Sequence, residues 1–189
     1  MIDIALAFLT NELNGYLLAR TGEVFGDALL TRPVDDAGRW VIPEDHIGVA
    51  LLNVDEERVM KAQLPEAVFI NGRQVMLEPE IKLNLDVLFA ANFKQYPQAL
   101  KFLSRVVTFF QAHPRFASED YPALDPLIDT LVPELRSLGF EQLNQLWTFI
   151  GGKQLPSVVY RVRLVTLQDM EPRSTGQPIT FIETTLSSR

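Results

Sequence analysis

Between Ile81 and Ala91 every odd position is apolar: Ile81, Leu83, Leu85, Val87, Phe89 and Ala91. The even positions carry Lys82, Asn84, Asp86, Leu88 and Ala90. A period of two sustained over eleven residues belongs to an extended strand with one face in the core and cannot be satisfied by a helix. This strand sits near the middle of a 189-residue chain, so the rest of the fold must supply neighbours on both of its edges.

Those neighbours are legible on either side. Ile47–Val54 is apolar on both alternating faces, which suits a central strand covered on two sides. The charged run Asp55, Glu56, Glu57 and Arg58 closes it. Asn71-Gly72, between Val68-Phe69-Ile70 and Val75-Met76-Leu77, predicts a tight hairpin. Pro156–Asp169 reads as a long strand, with Tyr160, Val162 and Leu164 on one face and Val159, Arg161, Arg163 and Val165 on the other. Leu127–Leu138 is also read as a strand. Pro133 within it cannot donate to a ladder, which predicts an edge position or a bulge. Val24–Thr31 and Trp40–Ile42 are short strands or loop around a turn containing Asp35, Asp36 and Gly38.

Three segments change to helical spacing. Ala5, Phe8, Leu9, Leu13, Tyr16 and Leu17 form a stripe that ends near Thr21-Gly22, with Asp3 placed to cap the positive end. Pro97 opens a second helix, whose broad stripe of Leu100, Phe102, Leu103, Val106, Val107, Phe109 and Phe110 must stop at His113-Pro114. Gly139 serves as N-cap of a third, with Leu143, Leu146, Trp147 and Ile150 on its apolar side and Gly151-Gly152 as its stop. The expected class is therefore α+β: one mixed, mostly antiparallel sheet with about three helices packed on it. The domain is placed at 1–169, followed by a polar tail at 170–189 with a short strand at 179–183.

Composition closes several functional classes. With 47% hydrophobic residues the bulk of the chain is not disordered. There is no cysteine, hence no disulfide framework, thiolate metal site or cysteine nucleophile. The two histidines, His46 and His113, lie far apart at expected element boundaries, where solvated or capping roles are the rule. A net charge of −7 disfavours binding nucleic acid through its phosphates. No eighteen-residue apolar run predicts a membrane span, and Asp3, Asn11, Glu12 and Asn14 break up the apolar start without any basic region before it.

Catalytic motifs are equally scarce. Gly151-Gly152-Lys153 lacks the serine or threonine and the glycine spacing of a phosphate loop, and it follows a helix where that loop follows a strand. There is no Gly-x-Ser-x-Gly and no His-Glu-x-x-His. Asp35-Asp36, Glu56-Glu57 and Glu119-Asp120 fall in loops or at strand ends, where solvated charge is expected. No cofactor, metal or catalytic residue is predicted. Candidate contact residues are the hairpin tip Asn71, Gly72, Arg73 and Gln74, the blunted strand at Pro133, and Arg161 with Arg163. The two arginines share a face with Val159, Val165 and Leu167, either as an ordinary surface whose stems cover neighbours or as an interface.

Four strings carry a resemblance over most of the chain, from about Met1 to Asp169. They are IDIALAFLTNELN from Ile2, HIGVALLNVDEER from His46, LNLDVLFAANFKQYPQALKFLSRVVTFFQAHPRF from Leu83 and FEQLNQLWTFIGGKQLPSVVYRVRLVTLQD from Phe140. The two long strings combine Leu-Phe-x-Ala-Asn-Phe with Leu-Trp-x-x-x-Gly-Gly-Lys. The sequence resembles the conserved N-terminal domain of the cap, or tail-terminator, proteins of extracellular contractile injection systems, phage-tail-like particles of the antifeeding-prophage and virulence-cassette type. The resemblance implies a terminator-like α/β fold and a non-enzymatic role. Its expected partners are further copies of itself in a hexameric ring, together with the inner tube protein and the sheath protein, but neither nucleic acid nor membrane. Such a ring would cap the distal end of tube and sheath, stop polymerisation and set particle length, assembling in the cytoplasm on a particle that is later released. Several members of the family carry a further C-terminal domain, so the resemblance leaves open a complete plug or a smaller terminator ring. The residues alone leave two other readings: a monomeric or dimeric adaptor module, and, last, a hydrolase working through a carboxylate pair.

Overall fold

The structure is a computed structural model that describes residues 1–22, 25–57, 66–70, 73–77, 81–151, 153–167 and 174–175, with the backbone alone described at 66–70, 73–77, 164–167 and 174–175. Strand β5, Ile81–Asn92, is the centre of the molecule. It pairs antiparallel with β2, His46–Glu56, on one edge and with β8, Ser157–Leu167, on the other. The sheet has six strands in the order β1-β2-β5-β8-β7-β6, where β1 is Ala28–Leu30, β6 is Phe116–Ala117 and β7 is Thr130–Arg136. Only β1 and β2 run parallel within it. The expected α+β class with one mixed, mostly antiparallel sheet is the observed one. A small second sheet is added, in which β3 (Glu66–Ile70), β4 (Arg73–Leu77) and β9 (Ser174–Thr175) lie in that order.

One feature of β5 departs from the sequence expectation. From Leu83 to Ala91 it is buried on both faces, Asn84 and Asp86 included, where alternation predicted one face in the core. The reason lies in what covers each side. The odd-numbered residues face helices α1, Ile2–Thr21, and α2, Tyr96–Ala112. Leu88 and Ala90 face the third helix, α3, Phe140–Ile150, across a smaller cluster with Ile42, Ala50, Trp147 and Val159. Asn84 and Asp86 are covered by side chains of neighbouring strands.

The α1–α2 face is dry and aromatic. Phe89 is fully buried, with ring contacts to Phe110 at 5.2 Å and Tyr160 at 5.9 Å. Phe8, Phe109, Phe116 and Tyr121 continue the cluster in edge-to-face and tilted pairs. Asn14 pins β1 to α1: its Nδ2 donates to the Ala28 carbonyl at 2.9 Å, and its Oδ1 accepts from the Ala28 amide at 2.7 Å. The helix stops are those expected. Gly22 and Gly151 adopt left-handed φ values of 72° and 77°, which glycine reaches without a Cβ clash. His113 follows α2 at its C-terminus. Asp3 is a first-turn residue that accepts from the Met1 amine, and Met1 takes the N-cap position expected of Asp3.

Several short pieces resolve differently. Trp40–Ile42 forms no strand but a single bridge, Val34 to Trp40, over a turn in which Asp35 Oδ1 accepts from the amides of Ala37 and Arg39. Gly48 in β2 is required by close approach, since a Cβ there would sit 2.3 Å from Ile42 Cδ1. The strand expected at 179–183 lies outside the described residues, and β9 occupies part of the stretch read as polar tail.

Candidate assembly site

The surface opposite α1 and α2 carries two of the candidate residues, Arg161 and Arg163. Along the upper half of that sheet face, α3 is seated through Leu143, Leu146, Trp147 and Ile150. Its N-terminus is closed by the Gly139 amide donating to Gln142 Oε1 at 3.1 Å. Among its residues only Trp147 is buried, while Phe140 and Phe149 are 94% and 86% exposed. Trp147 leans on Trp40 edge to face, and its Nε1 has no acceptor among the described residues.

Along the lower half, the face is built from charge. Register places Asp86 of β5 opposite Arg161 of β8 and Asn53 of β2, with Glu134 of β7 beyond Arg161. Arg161 grips Asp86 with two bonds, Nε to Oδ1 at 2.9 Å and Nη2 to Oδ2 at 3.0 Å. Its Nη2 also reaches Asp55 Oδ2 at 2.7 Å. Arg136 of β7 donates to the second oxygen of Asp86. One step along, Arg163 reaches Glu134 Oε1 at 3.2 Å and Glu57 Oε2 at 3.4 Å, and Asn84 Nδ2 donates to Glu57 at 3.1 Å. The four carboxylates and three guanidiniums cross four adjacent strands and leave one net negative charge.

Electrostatics fix the state of this network. Burial opposes the charge on Asp86, but hydrogen bonds from Arg161 and Arg136 outweigh it and hold the carboxyl below its ordinary value. The bonds to Asp86 in turn raise Arg161 against the opposing effect of burial. Asp86 is therefore an ionised anchor at neutral pH, suited to fixing strands and not to exchanging a proton. Beside it, a groove of about 400 Å³ runs between strand and helix, lined among others by Leu52, Asn53, Arg136, Leu146 and Phe149.

The sequence-predicted residues are thus distributed unevenly. Arg161 and Arg163 share one face as expected, and both guanidiniums engage carboxylates of this chain. The face expected for Val165 and Leu167 lies outside the described side chains. Pro133 is buried in β7 opposite Val162, and β6 pairs only with Thr130 and Leu131. From Val132 to Arg136 the second side of β7 has no strand among the described residues, so the proline lies beside an open stretch of edge. Asn71 and Gly72 lie outside the described residues, while Arg73 opens β4 opposite Ile70 across the predicted two-residue connection, with Gln74 next to it.

Other expectations divide likewise. His46 Nδ1 lies 2.7 Å from the Glu44 carbonyl, and His113 Nδ1 lies 2.9 Å from Tyr121 Oη at the end of α2. Glu119 is solvated and pairs with Arg115, as loop charge should. Glu57 corrects the expectation for its pair: it is buried, because Asn84 and Arg163 meet it where β2 ends. Sequence reasoning missed Asp86 altogether. Its one signal was a charge at an even position between apolar residues, which alternation assigns to solvent.

Among the described residues no His, Cys, Asp or Glu cluster is placed to hold a metal ion, and no helix is long and apolar enough to cross a membrane.

Comparison with known proteins gives this architecture a context. No curated protein sequence matches the chain. Among solved structures, the fold is similar to the PVC sheath/tube terminator of an extracellular contractile injection system in its extended state, with a TM-score of 0.63 at 14% identity, covering 96% of this chain and 62% of that one. It is also similar to the tube-terminating cap of the anti-feeding prophage, with a TM-score of 0.66 at 16% identity, covering 96% of this chain and 61% of that one. The chain thus spans about three fifths of the length of the solved chains it matches. Residues 5–180 match the Pvc16 N-terminal domain, and the chain belongs to that family.

Proposed function

We propose that the chain is a structural terminator: copies of it close into a ring, expected to be a hexamer, on the distal end of the inner tube and sheath of a contractile injection particle. The observation that carries this reading is the family membership over residues 5–180 together with a fold shared with two terminating caps across 96% of the chain. In this reading the ring stops further addition of tube and sheath subunits, sets particle length, and is assembled in the cytoplasm before release of the particle. Residues 1–169 act as the terminator domain, with 170–189 as its tail. Its work is done by contact surfaces and edges, without a cofactor or a catalytic step.

Three stretches are proposed as contact surfaces. The first is Asn71-Gly72-Arg73-Gln74, at the connection between β3 and β4. The open side of β7 is an edge on which another strand would otherwise add, and Pro133 removes an amide there, which blunts it. The stems of Arg161 and Arg163 and the adjoining groove form a face for tube or sheath. In each case the partner is protein, in keeping with the chain's net charge of −7.

Native mass spectrometry of the chain, alone and with tube protein, tests the reading directly. A closed ring of six 21.4 kDa chains, about 128 kDa, is the expected species. A strict monomer or dimer even in the presence of tube protein sinks it and favours an adaptor module. Length is read separately: particles assembled without the chain should have longer and more scattered tubes than those assembled with it.

A further inference from the structure

A second charged region lies at the far end of the helical layer. Helices α1 and α2 run antiparallel: Phe8 meets Phe116 and Tyr121, Tyr16 meets Phe109 and His113, and Arg20 shares a groove with Lys101 and Arg105. That groove measures about 470 Å³, with Phe25, Gln98 and Phe102 also in its lining. Gln98, Lys101 and Arg105 fall on one side of α2 by helical spacing. The Arg20 guanidinium lies 5.1 Å above the Tyr16 ring and that of Arg105 4.7 Å above Phe102. No carboxylate among the described residues pairs with Arg20, Lys101 or Arg105. Moreover, α2 begins without an acidic residue in its first turn. Arg20 is held in the last turn of α1, where a cation is favoured, and no acidic side chain at the start of α2 offsets the three cations.

The opposite end has the opposite sign. The connection from α2 to β7 carries Glu119, Asp120, Asp125 and Asp129 against the single cation Arg115, which pairs with Glu119 and Asp120 and leaves an acidic excess. Glu12 of α1 is near enough to act on Tyr121 of this connection. After burial, the charges of Glu12 and Asp120 are what raise the Tyr121 hydroxyl. Leu127 is 63% exposed on this loop. Twelve residues of helix separate Phe8 from Arg20, roughly 18 Å at 1.5 Å per residue. Each subunit is thus acidic at one end of its helical layer and basic at the other.

We propose that the basic groove of Arg20, Lys101 and Arg105 receives the acidic 118–129 loop of a second copy of this chain, with Leu127 seated beside Phe25. The inference rests on the ring reading above, and names the contact that closes the ring. A subunit of net charge −7 repels its copies by default. Association therefore needs a place where that repulsion is reversed, and a groove whose three cations have no carboxylate partner among the described residues, facing an acidic loop, provides one. Because groove and loop are different surfaces, the contact is head to tail, which is the geometry that closes a ring.

The test uses the full chain and charge reversal at three exposed residues, Lys101, Glu119 and Asp120, and at the half-buried Arg105. One variant carries Lys101→Glu with Arg105→Glu, a second carries Glu119→Lys with Asp120→Lys, and a third combines all four. Native mass spectrometry and sedimentation at low and at roughly molar salt, where the screening length falls to about 3 Å, give the oligomer fraction; circular dichroism checks folding. Each double variant should weaken ring formation at least about tenfold, as interfacial like charges do. The four-fold variant should recover it with the polarity reversed, and high salt should weaken the natural ring. A ring that survives both double variants overturns this contact while leaving the terminator reading intact. So does a ring that survives while tube binding to the groove variant is lost. A natural chain that never forms a ring overturns both.

Discussion

The two faces of the six-stranded sheet are built on opposite principles. Beneath α1 and α2, strand β5 presents Leu83, Leu85, Val87 and Phe89 to an aromatic core that excludes water. On the other face the same strand presents a short apolar patch to α3 and then gives way to Asn84 and Asp86 under a lattice of arginines. The dry face derives its strength from area and fit, and it selects register only by which residues it turns inward. The charged face adds little net stability, since desolvation offsets most of the attraction. It does discriminate: a slip of one residue along β8 would turn Arg161 away from Asp86, and a slip along β7 would do the same to Arg136. One face holds the fold together, and the other specifies which pairing of strands is the right one.

The contrast can be broken at several points. Phe89→Ala empties a fully buried position between Phe110 and Tyr160, and should cost about 3–5 kcal/mol in denaturant unfolding. Asp86→Ala leaves Arg161 and Arg136 facing each other. Their partial exposure, 30% and 40% of the side chains, lets water relieve part of this, so about 2–3 kcal/mol is expected. The pH dependence should separate the two. The folded-state value of Asp86 is lowered, so its contribution is complete above the ordinary carboxylate range near pH 4 and disappears as pH falls through the lowered value. Acid unfolding of the Asp86→Ala protein should lack that component, whereas the Phe89→Ala protein keeps it.

Gly48→Ala probes the junction between the faces, where a methyl group meets Ile42 at 2.3 Å. About 1–2 kcal/mol should be lost, and more than 3 would mean that Ile42 has nowhere to turn. The smallest effect is expected from Trp147→Phe, which deletes a buried Nε1 that has no acceptor among the described residues. A change within about 1 kcal/mol by thermal melting is predicted. A loss near 3 would show that this nitrogen has a partner.

The dry face was readable in advance and the charged face was not, for a physical reason. Alternation along β5 and the stripes of α1 and α2 are local signals, each complete within a dozen residues. The partners of Asp86 lie 50 and 75 residues away, at Arg136 and Arg161, and Asp55 lies 106 residues from Arg161. Nothing in the spacing of Tyr-Arg-Val-Arg-Leu says which carboxylates will stand opposite. Glu57, next to two charged neighbours, looked solvated for the same reason. Pro133 pairs with Val162 in regular register, and the two-residue length of β6, which leaves the far side of β7 without a strand among the described residues, carries no pattern of its own.

The strand order has a consequence for how the chain is made. β5 lies between β2, which precedes it, and β8, which begins about 65 residues after β5 ends, as Ser157 follows Asn92. At roughly 5–20 residues per second of synthesis, the edge of β5 that β8 will cover stays unpaired for about 3–13 seconds. During that time Leu85, Val87 and Phe89 belong to a half-finished sheet with a sticky margin. The nascent chain therefore passes through an interval in which a chaperone, or another nascent copy, competes with its own last long strand.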